Sequence, residues 1–261
     1  MQNIVASEEF KQRETHAAAV IKTGRRYTLS IARNEQEIEE CLRLRYRVFA
    51  GEMNARLETP HCGLDWDKFD QHCQHLMVRE SQQGMVVATT RLLTCDDREN
   101  IGYFYAETEF DLDAILKMPG RIMEVGRTCI HHDYRNGATL ATLWQGLAQL
   151  SSQHDIDYLI GCASIPFSSG DDYLASVMHQ LREQAFSPEH LRVTPLIPLR
   201  GLETAKISDK VNLPSLLKAY LRAGAKICGE AYWDAAFNVA DAFILVETKN
   251  LSARYSRHFH F

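Results

Sequence analysis

The sequence predicts an α/β fold, a mixed sheet covered by helices, and three observations carry that expectation. Short β-branched or aromatic runs alternate with helical periodicities along the chain. The run Tyr158–Ile165 is apolar over a strand's length, the pattern of a strand covered on both sides. Hydrophobic residues make up 45% of the chain and charged residues 24%, enough apolar side chain to offset the entropy of ordering it. At 261 residues the chain is long for one domain and short for two ordinary ones. One elaborated domain over residues 27–261 is expected, after a polar lead at 1–26.

The elements follow in order. Tyr27–Arg33 reads as a strand from its β-branched and aromatic content. Asn34, with Glu37 three residues on, is a capping-box start for a helix whose face collects Ile38, Cys41, Leu42, Val48 and Phe49. Residues 54–72 lack periodicity and read as a long loop, itself a functional hint. Leu76–Arg79 and Met85–Leu93 form a hairpin around Ser81–Gly84. Residues 96–119 are irregular, with a short helix before Pro119. Arg121–Ile130 is a strand, and Gly137 opens a helix with Leu140, Leu143, Trp144, Leu147 and Leu150 on one face. After Tyr158–Ile165, Asp171 or Asp172 caps a helix carrying Leu174, Val177, Met178 and Leu181. Leu191–Leu199, broken by Pro195 and Pro198, is at best an edge strand. Pro214 suits the first turn of a helix to about Ala223, and Ala242–Glu247 is a late strand.

Composition excludes several functions. The charge of −5, from 29 basic and 34 acidic residues, argues against a general polyanion binder, so no nucleic acid is expected as a partner. No run approaches the roughly 18 apolar residues of a membrane span. Ala17–Ile21 is too short for a signal-peptide core. The seven scattered cysteines contain no C-x-x-C pair and read as reduced thiols of a cytoplasmic protein.

Some residues break the bland pattern. Arg45 lies on the apolar face of the first helix, where a cation either snorkels out or meets a buried carboxylate. The loop holds Asp65, Asp67, Asp70 and His72, with Cys73 and His75 just beyond. His72 and His75 would face opposite sides near a strand start, so no metal is expected. A solvated acidic loop and a carboxylate pair waiting for a cationic substrate both remain open. Within Arg121–Ile130, Glu124 and Arg127 would face opposite sides of a regular strand. A bulge at Gly126 would turn both to one face and release a backbone N–H, giving base, anchor and oxyanion donor together. A structural ion pair is the plain alternative. Next, Arg135 and the helix start at Gly137, Ala138 and Thr139 could receive a phosphate.

The order of these motifs resembles the GNAT acyltransferase superfamily. Within it, the chain resembles the branch of the ornithine-lipid N-acyltransferases, related to the acyl-homoserine-lactone synthases. The residues that carry the resemblance are Leu44-Arg45-Tyr-Arg-Val-Phe49, Asp67-Lys-Phe-Asp70, Arg91-Leu-Leu93, Glu124-Val-Gly-Arg127 and Asp133-Tyr-Arg-Asn-Gly-Ala-Thr139. The ornithine-lipid type is indicated by Leu213–Arg222, Ala223–Gly229 and Asp234-x-x-Phe-Asn-x-Ala-Asp241. A Trp that lactone synthases carry after the first-helix Phe is absent, with Asn54 and Ala55 in that region. The usual loop of coenzyme A users is reduced to Arg-Asn-Gly-Ala.

The resemblance implies a mostly antiparallel sheet with a splayed, bulged central strand and helices on both faces, residues 200–261 being a family-specific extension. It implies transfer of a fatty acyl group, 3-hydroxyacyl by preference, from the phosphopantetheine of acyl carrier protein to the α-amine of ornithine, with no permanently bound cofactor. Glu124, Gly126 and Arg127 would be catalytic; Asp67, Asp70, Arg45, Phe49 and Arg91 would serve the substrate; Arg135, Gly137, Ala138 and Thr139 would hold the pantetheine phosphate. An acidic carrier protein needs a local basic face, for which Arg135, Lys206, Lys210 and Arg222 are candidates. Basic residues of the lead, such as Lys11, Arg13 and Arg25, suggest transient contact with the inner membrane surface. Another amino-acid acceptor, or a non-catalytic acyl-carrier or lipid-binding module, are the competing readings.

Overall fold

The computed structural model describes residues 20–23 and 26–255; most of the polar lead, with Lys11, Arg13 and Arg25, lies outside the described residues. In chain order the elements are β1 (Val20–Thr23), β2 (Tyr27–Ile31), α1 (Glu35–Tyr46), β3 (Gln74–Glu80), β4 (Val86–Thr94), α2 (Cys95–Ile101), β5 (Phe110–Asp111), α3 (Asp113–Leu116), β6 (Ile122–Ile130) and α4 (Gly137–Gln153). Then follow β7 (Tyr158–Pro166), α5 (Asp171–Ala185), β8 (Thr194–Pro195), α6 (Ser215–Ala223), β9 (Lys226–Ile227), β10 (Tyr232–Asp234), β11 (Val239–Glu247) and α7 (Thr248–Tyr255). They form two compact units, one of residues up to Ile101 with Val125–Gln153, the other of Gly102–Glu124 with residues from His154 on. Strand β6 therefore begins in the second unit and ends in the first.

In the first unit β1, β2, β3 and β4 pair antiparallel in sequence order, and β6 lies beside β4. The β3–β4 turn closes as its residues demand. Gly84 takes φ +70, which glycine adopts without steric cost, and the Glu80 carboxylate accepts the N–H groups of Gln82 and Gln83 at 3.0 and 2.7 Å. Alternation along β3 sends its side chains to two helices. Arg79 reaches Glu40 of α1 at 2.6 Å, and Thr89, opposite Met77 on the same face, lies by the Cys41 thiol of the same helix while its hydroxyl donates to the Leu76 carbonyl at 3.0 Å. Leu76 and Leu29 instead crowd Gly146 of α4. Helices thus cover both faces of this sheet.

Helix α1 starts as its sequence predicts, with the Asn34 side chain accepting the Glu37 N–H at 2.9 Å. The reciprocal half of the expected capping box is shifted by one residue: Glu37 accepts from the Arg33 N–H at 2.8 Å. The helix does not stop at Tyr46 but widens into a π turn over Arg47–Glu52, which buries Val48 and Phe49.

In the second unit β7 and β11 pair antiparallel along nine residues each, from Val239 opposite Pro166 to Glu247 opposite Tyr158. On its other edge β11 carries β10 and β9. The start of β6 runs parallel to β7, and that pairing covers Ile122–Glu124. The segment 200–261 thus builds the middle of this sheet. Helix α5 buries Leu174, Val177, Met178 and Leu181 as the periodicity predicts, though Gly170 rather than either aspartate is its N-cap. The proline-broken stretch shrinks to the two-residue β8, paired with β5. Among the described residues, no helix is long and apolar enough to cross a membrane.

Gly229 is the tightest backbone contact of this unit. It sits at φ +127, and a Cβ there would lie 2.5 Å from the Val193 carbonyl oxygen. Gly229→Ala should lower unfolding free energy by about 2–4 kcal/mol, combining strain at that φ with overpacking. Gly51→Ala, whose Cβ would meet nothing within 4 Å, should be neutral or stabilising. Chemical denaturation of both variants checks this.

Candidate active site

The expectation for Arg45 is settled by burial. Its side chain has no solvent exposure and meets carboxylates rather than snorkelling. Its Nε donates to Asp65 at 2.7 Å, and Nη1 and Nη2 donate to Asp70 at 2.6 and 3.2 Å. Arg91, two residues beyond Thr89 on the same face of β4, donates to Asp67 at 2.6 Å and Asp70 at 3.1 Å, and stacks over the Phe69 ring. Arg127 completes the group, 3.4 Å from Asp65 and 3.3 Å from Asp67. Three guanidinium groups thus answer three carboxylates. Burial alone would raise the Asp70 carboxyl pKa, but Arg45, Arg91 and then His75 overcome it and hold the carboxyl below the usual range.

This corrects the expected role of Asp70. Both its oxygens are taken by the protein's own donors, Oδ2 also accepting the Asp67 N–H at 2.8 Å. A fully buried carboxylate so engaged has no face left for a substrate cation. Asp67 retains 22% side-chain exposure, but its charge too is answered by arginines. Phe49 is buried within the π turn.

Strand β6 does kink, but not where the glycine suggests. Gly126 has no left-handed φ; Arg127 takes φ +51. A non-glycine residue there costs on the order of 1–3 kcal/mol and persists because its surroundings hold it. The ion pairs to Asp65 and Asp67 supply that hold. The Gly126 carbonyl accepts the Thr90 hydroxyl at 3.1 Å. Two residues earlier in the chain, in the second unit, Glu124 is buried and each of its carboxylate oxygens accepts a backbone N–H, from Tyr105 at 2.8 Å and Ala106 at 2.7 Å. These donors open the 3₁₀ turn Tyr105–Thr108.

The expected phosphate cradle is partly self-filled. Asn136 caps α4, its Oδ1 accepting the N–H groups of Ala138 and Thr139 at 3.0 and 3.1 Å. The Thr139 side chain is buried and bonds the Tyr27 hydroxyl at 3.0 Å. Arg135 is exposed, donates to the Ile130 carbonyl and pairs with Glu52. An asparagine before a glycine serves as an N-cap as readily as part of an anion loop, which is why the sequence did not separate the two.

The second unit holds a group that the sequence reading missed. Glu109, Asp234 and Asp241 are all buried, and one oxygen from each lies within 4.8 Å of the other two. Strand register explains the meeting: Tyr232 pairs with Asp241, Asp241 with Ser164 and Phe243 with Cys162, so these side chains share one face. Asp234, two residues from Tyr232, points the same way. Asp241 accepts the Ser164 hydroxyl at 2.7 Å, and Asp234 accepts the Ala236 and Phe237 N–H groups at 2.8 and 3.0 Å. Asp241 in an otherwise apolar strand was the available signal; Glu109, in an irregular stretch, left none. A third ligand-type group, His131, His132 and Asp133, is mostly exposed, and its side chains bond one another in a turn.

Comparison with known proteins follows the same line. Residues 44–145 match the family described as an acetyltransferase (GNAT) domain. The chain is 34% identical over 246 residues to the L-ornithine N(alpha)-acyltransferase of Agrobacterium fabrum, covering 88% of this chain and 83% of that protein. It is 34% identical over 245 residues to the protein of the same name from Rhodobacter capsulatus, covering 88% and 93%. Among solved structures, the acyl-homoserine-lactone synthase LasI shares the fold with a TM-score of 0.54 at 15% identity, over 89% of this chain and 96% of that one. FeeM, an N-acyl amino acid synthase from uncultured soil microbes, does so with a TM-score of 0.53 at 11% identity, over 88% and 95%.

Two tests follow from the arginine–aspartate network. Arg45→Met strands two buried carboxylates and should cost about 3–5 kcal/mol in denaturant unfolding. His75, fully buried beside Asp70, has its pKa lowered to about 4, chiefly by burial and against the pull of Asp70. A depressed folded pKa means the unfolded chain binds the proton first, so stability is fully present above pH 6.5 and falls toward pH 4. The loss is roughly 3 kcal/mol. His75→Gln should flatten the stability profile across that window.

Proposed function

Since this chain belongs to the family of the L-ornithine N(alpha)-acyltransferases, with a GNAT acyltransferase fold, we propose that it transfers a fatty acyl group from acyl carrier protein to the α-amine of L-ornithine. The acyl group is 3-hydroxyacyl by preference, and the product is lyso-ornithine lipid. The observation that carries this reading is the likeness, over most of the chain, to relatives that bear that name.

The chemistry sets the requirements. An ammonium cannot attack a thioester, so the α-amine must lose one proton before attack and a second as the amide forms. The C–N bond forms, the C–S bond breaks, and the pantetheine thiolate takes back one proton. Glu124 is assigned as the base. Its two backbone N–H bonds hold the carboxylate in place, which suits a proton relay through one water. A backbone N–H at the kink around Gly126 and Arg127 is assigned to the oxyanion, a contribution of about 3 kcal/mol per donor. Arg127, fixed by Asp65 and Asp67, keeps that kink in shape and acts as a positioning residue. The start of α4 with Arg135 is assigned to the single phosphate of the carrier's pantetheine. Arg45 and Asp70 take no part in binding the acceptor; they stabilise the loop.

The direct test is an acceptor screen with purified protein and acyl carrier protein loaded with 3-hydroxyacyl chains, read by intact mass. Acyl-ornithine is expected; acyl-tyrosine or acyl-glycine instead would move the reading to another acceptor, and no product would favour a binding module. Glu124→Ala should lower kcat by roughly 10²- to 10⁴-fold with carrier binding retained. Near-normal turnover in a folded Glu124→Ala protein would remove Glu124 from the mechanism.

A further inference from the structure

Burying a carboxylate is costly unless a cation or several hydrogen bonds meet it. Glu109 has no cation among the groups that act most on it, and for hydrogen bonds it has only Cys162 and Tyr105. The charged groups that act most on it are Asp241 and Asp234, both of its own sign. Its Oε2 is buried with no hydrogen-bond partner. The Glu109 carboxylate belongs to the trio, whose other two members accept hydrogen bonds from Ser164 and from the Ala236 and Phe237 amides. Three acids that converge on one spot, one of them with an unanswered oxygen, form a place for a positive charge.

We propose that Glu109, Asp234 and Asp241 seat the terminal side-chain ammonium of a diamino-acid acceptor, keep it protonated, and so leave the α-amine as the nucleophile. The identity of the ligand rests on the acyltransfer to ornithine argued above; the cation seat itself rests on the geometry. An alkylammonium carries three N–H donors, one for each acid. With charge-assisted N–O distances of about 2.8 Å, tetrahedral donors place their acceptors about 4.6 Å apart, inside the 4.8 Å that bounds the separations of the trio's oxygens. Magnesium or calcium would ask for six or more oxygens, whereas the surroundings here are a thiol, hydroxyls and rings. Phe110, with Tyr232 and Phe243 at 5.9 and 5.6 Å between ring centroids, lines the same sheet face and offers an apolar wall to a methylene stem. On β7 beside the trio, Ser164 is exposed and Cys162 half-buried.

The ionisation of Glu109 agrees with this. Burial first, and then Asp241, push its carboxyl well above the ordinary range, so it holds a proton until a cation arrives. The same face pushes the Cys162 thiol up, through burial and then Glu109 and Asp241, so it stays uncharged beside the seat.

The experiment compares ornithine with norvaline, which has the same carbon chain without the terminal amine, on wild-type protein, Glu109→Gln and Asp241→Asn. Calorimetry without acyl donor should detect ornithine on the wild type and at least tenfold weaker binding on both variants. In the transfer assay each variant should raise KM for ornithine at least tenfold and shrink the ornithine-over-norvaline preference by a similar factor. Thermal unfolding of each variant shows whether it is folded; Glu109→Gln replaces a protonated acid with a neutral amide and should leave the melting temperature unchanged, and Asp241→Asn should leave it unchanged or higher. Wild-type transfer to ornithine with a preference that neither folded variant alters overturns the seat and leaves the functional reading intact. Ornithine binding that depends on the trio, without transfer, overturns the functional reading and leaves the seat intact. Magnesium or calcium bound by the wild type, lost in both variants and indifferent to ornithine, makes the trio a metal site and overturns the proposal.

Discussion

Charge taken out of water has to be answered, and the two units of this protein meet that constraint in opposite ways. In the first, Arg45, Arg91 and Arg127 stand against Asp65, Asp67 and Asp70, so three positive groups balance three negative ones at ion-pair range. Such a network is structural first. Its members are expensive to remove singly, and they tie an irregular loop to a helix and two strands. In the second, the acids Glu109, Asp234 and Asp241 come together, which with burial pushes the Glu109 carboxyl toward its protonated form, and one Glu109 oxygen is left unanswered.

The balanced network also explains why β6 can bend. Arg127 holds a left-handed φ that a long side chain rarely adopts. Two carboxylates grip its guanidinium, so straightening the strand would break ion pairs in a place poor in water. Loop, helix and strain are therefore one system. Arg45 and Asp70, expected to touch substrate, turn out to bond each other and to hold the loop against α1. Glu124 shows a related economy: two amides of the 3₁₀ turn at Tyr105 fix its orientation, and the same turn leads within a few residues to Glu109.

The name borne by the relatives specifies the α-amine of ornithine but does not say how the second amine is left unacylated. Ammonium groups are inert toward thioesters, so selectivity can come from deciding which nitrogen stays protonated. An acidic seat accomplishes that by electrostatics alone, without a steric gate. It also separates two tasks that one carboxylate cannot perform together, holding a proton on one amine and removing it from the other.

Much of this was readable along the chain. The strand and helix periodicities placed β2, α1, the β3–β4 hairpin, β6, α4, β7, α5, α6 and β11, because alternation and helical spacing are properties of neighbouring residues. The odd position of Arg45 was visible for the same reason: a cation on an apolar face needs no partner to look unusual. What tertiary structure decided was who answers whom. Asp70 reaches Arg45 across 25 residues, Arg127 reaches Asp67 across 60, and Ser164 reaches Asp241 across 77. No local pattern distinguishes a carboxylate neutralised by an arginine from one left to face its like. Nor does it tell Asn136 as a helix cap from Asn136 as an anion loop, or put the kink on Arg127 rather than Gly126. Periodicity is written in adjacent residues, whereas electrostatic balance is settled only when distant ones share a low-dielectric space.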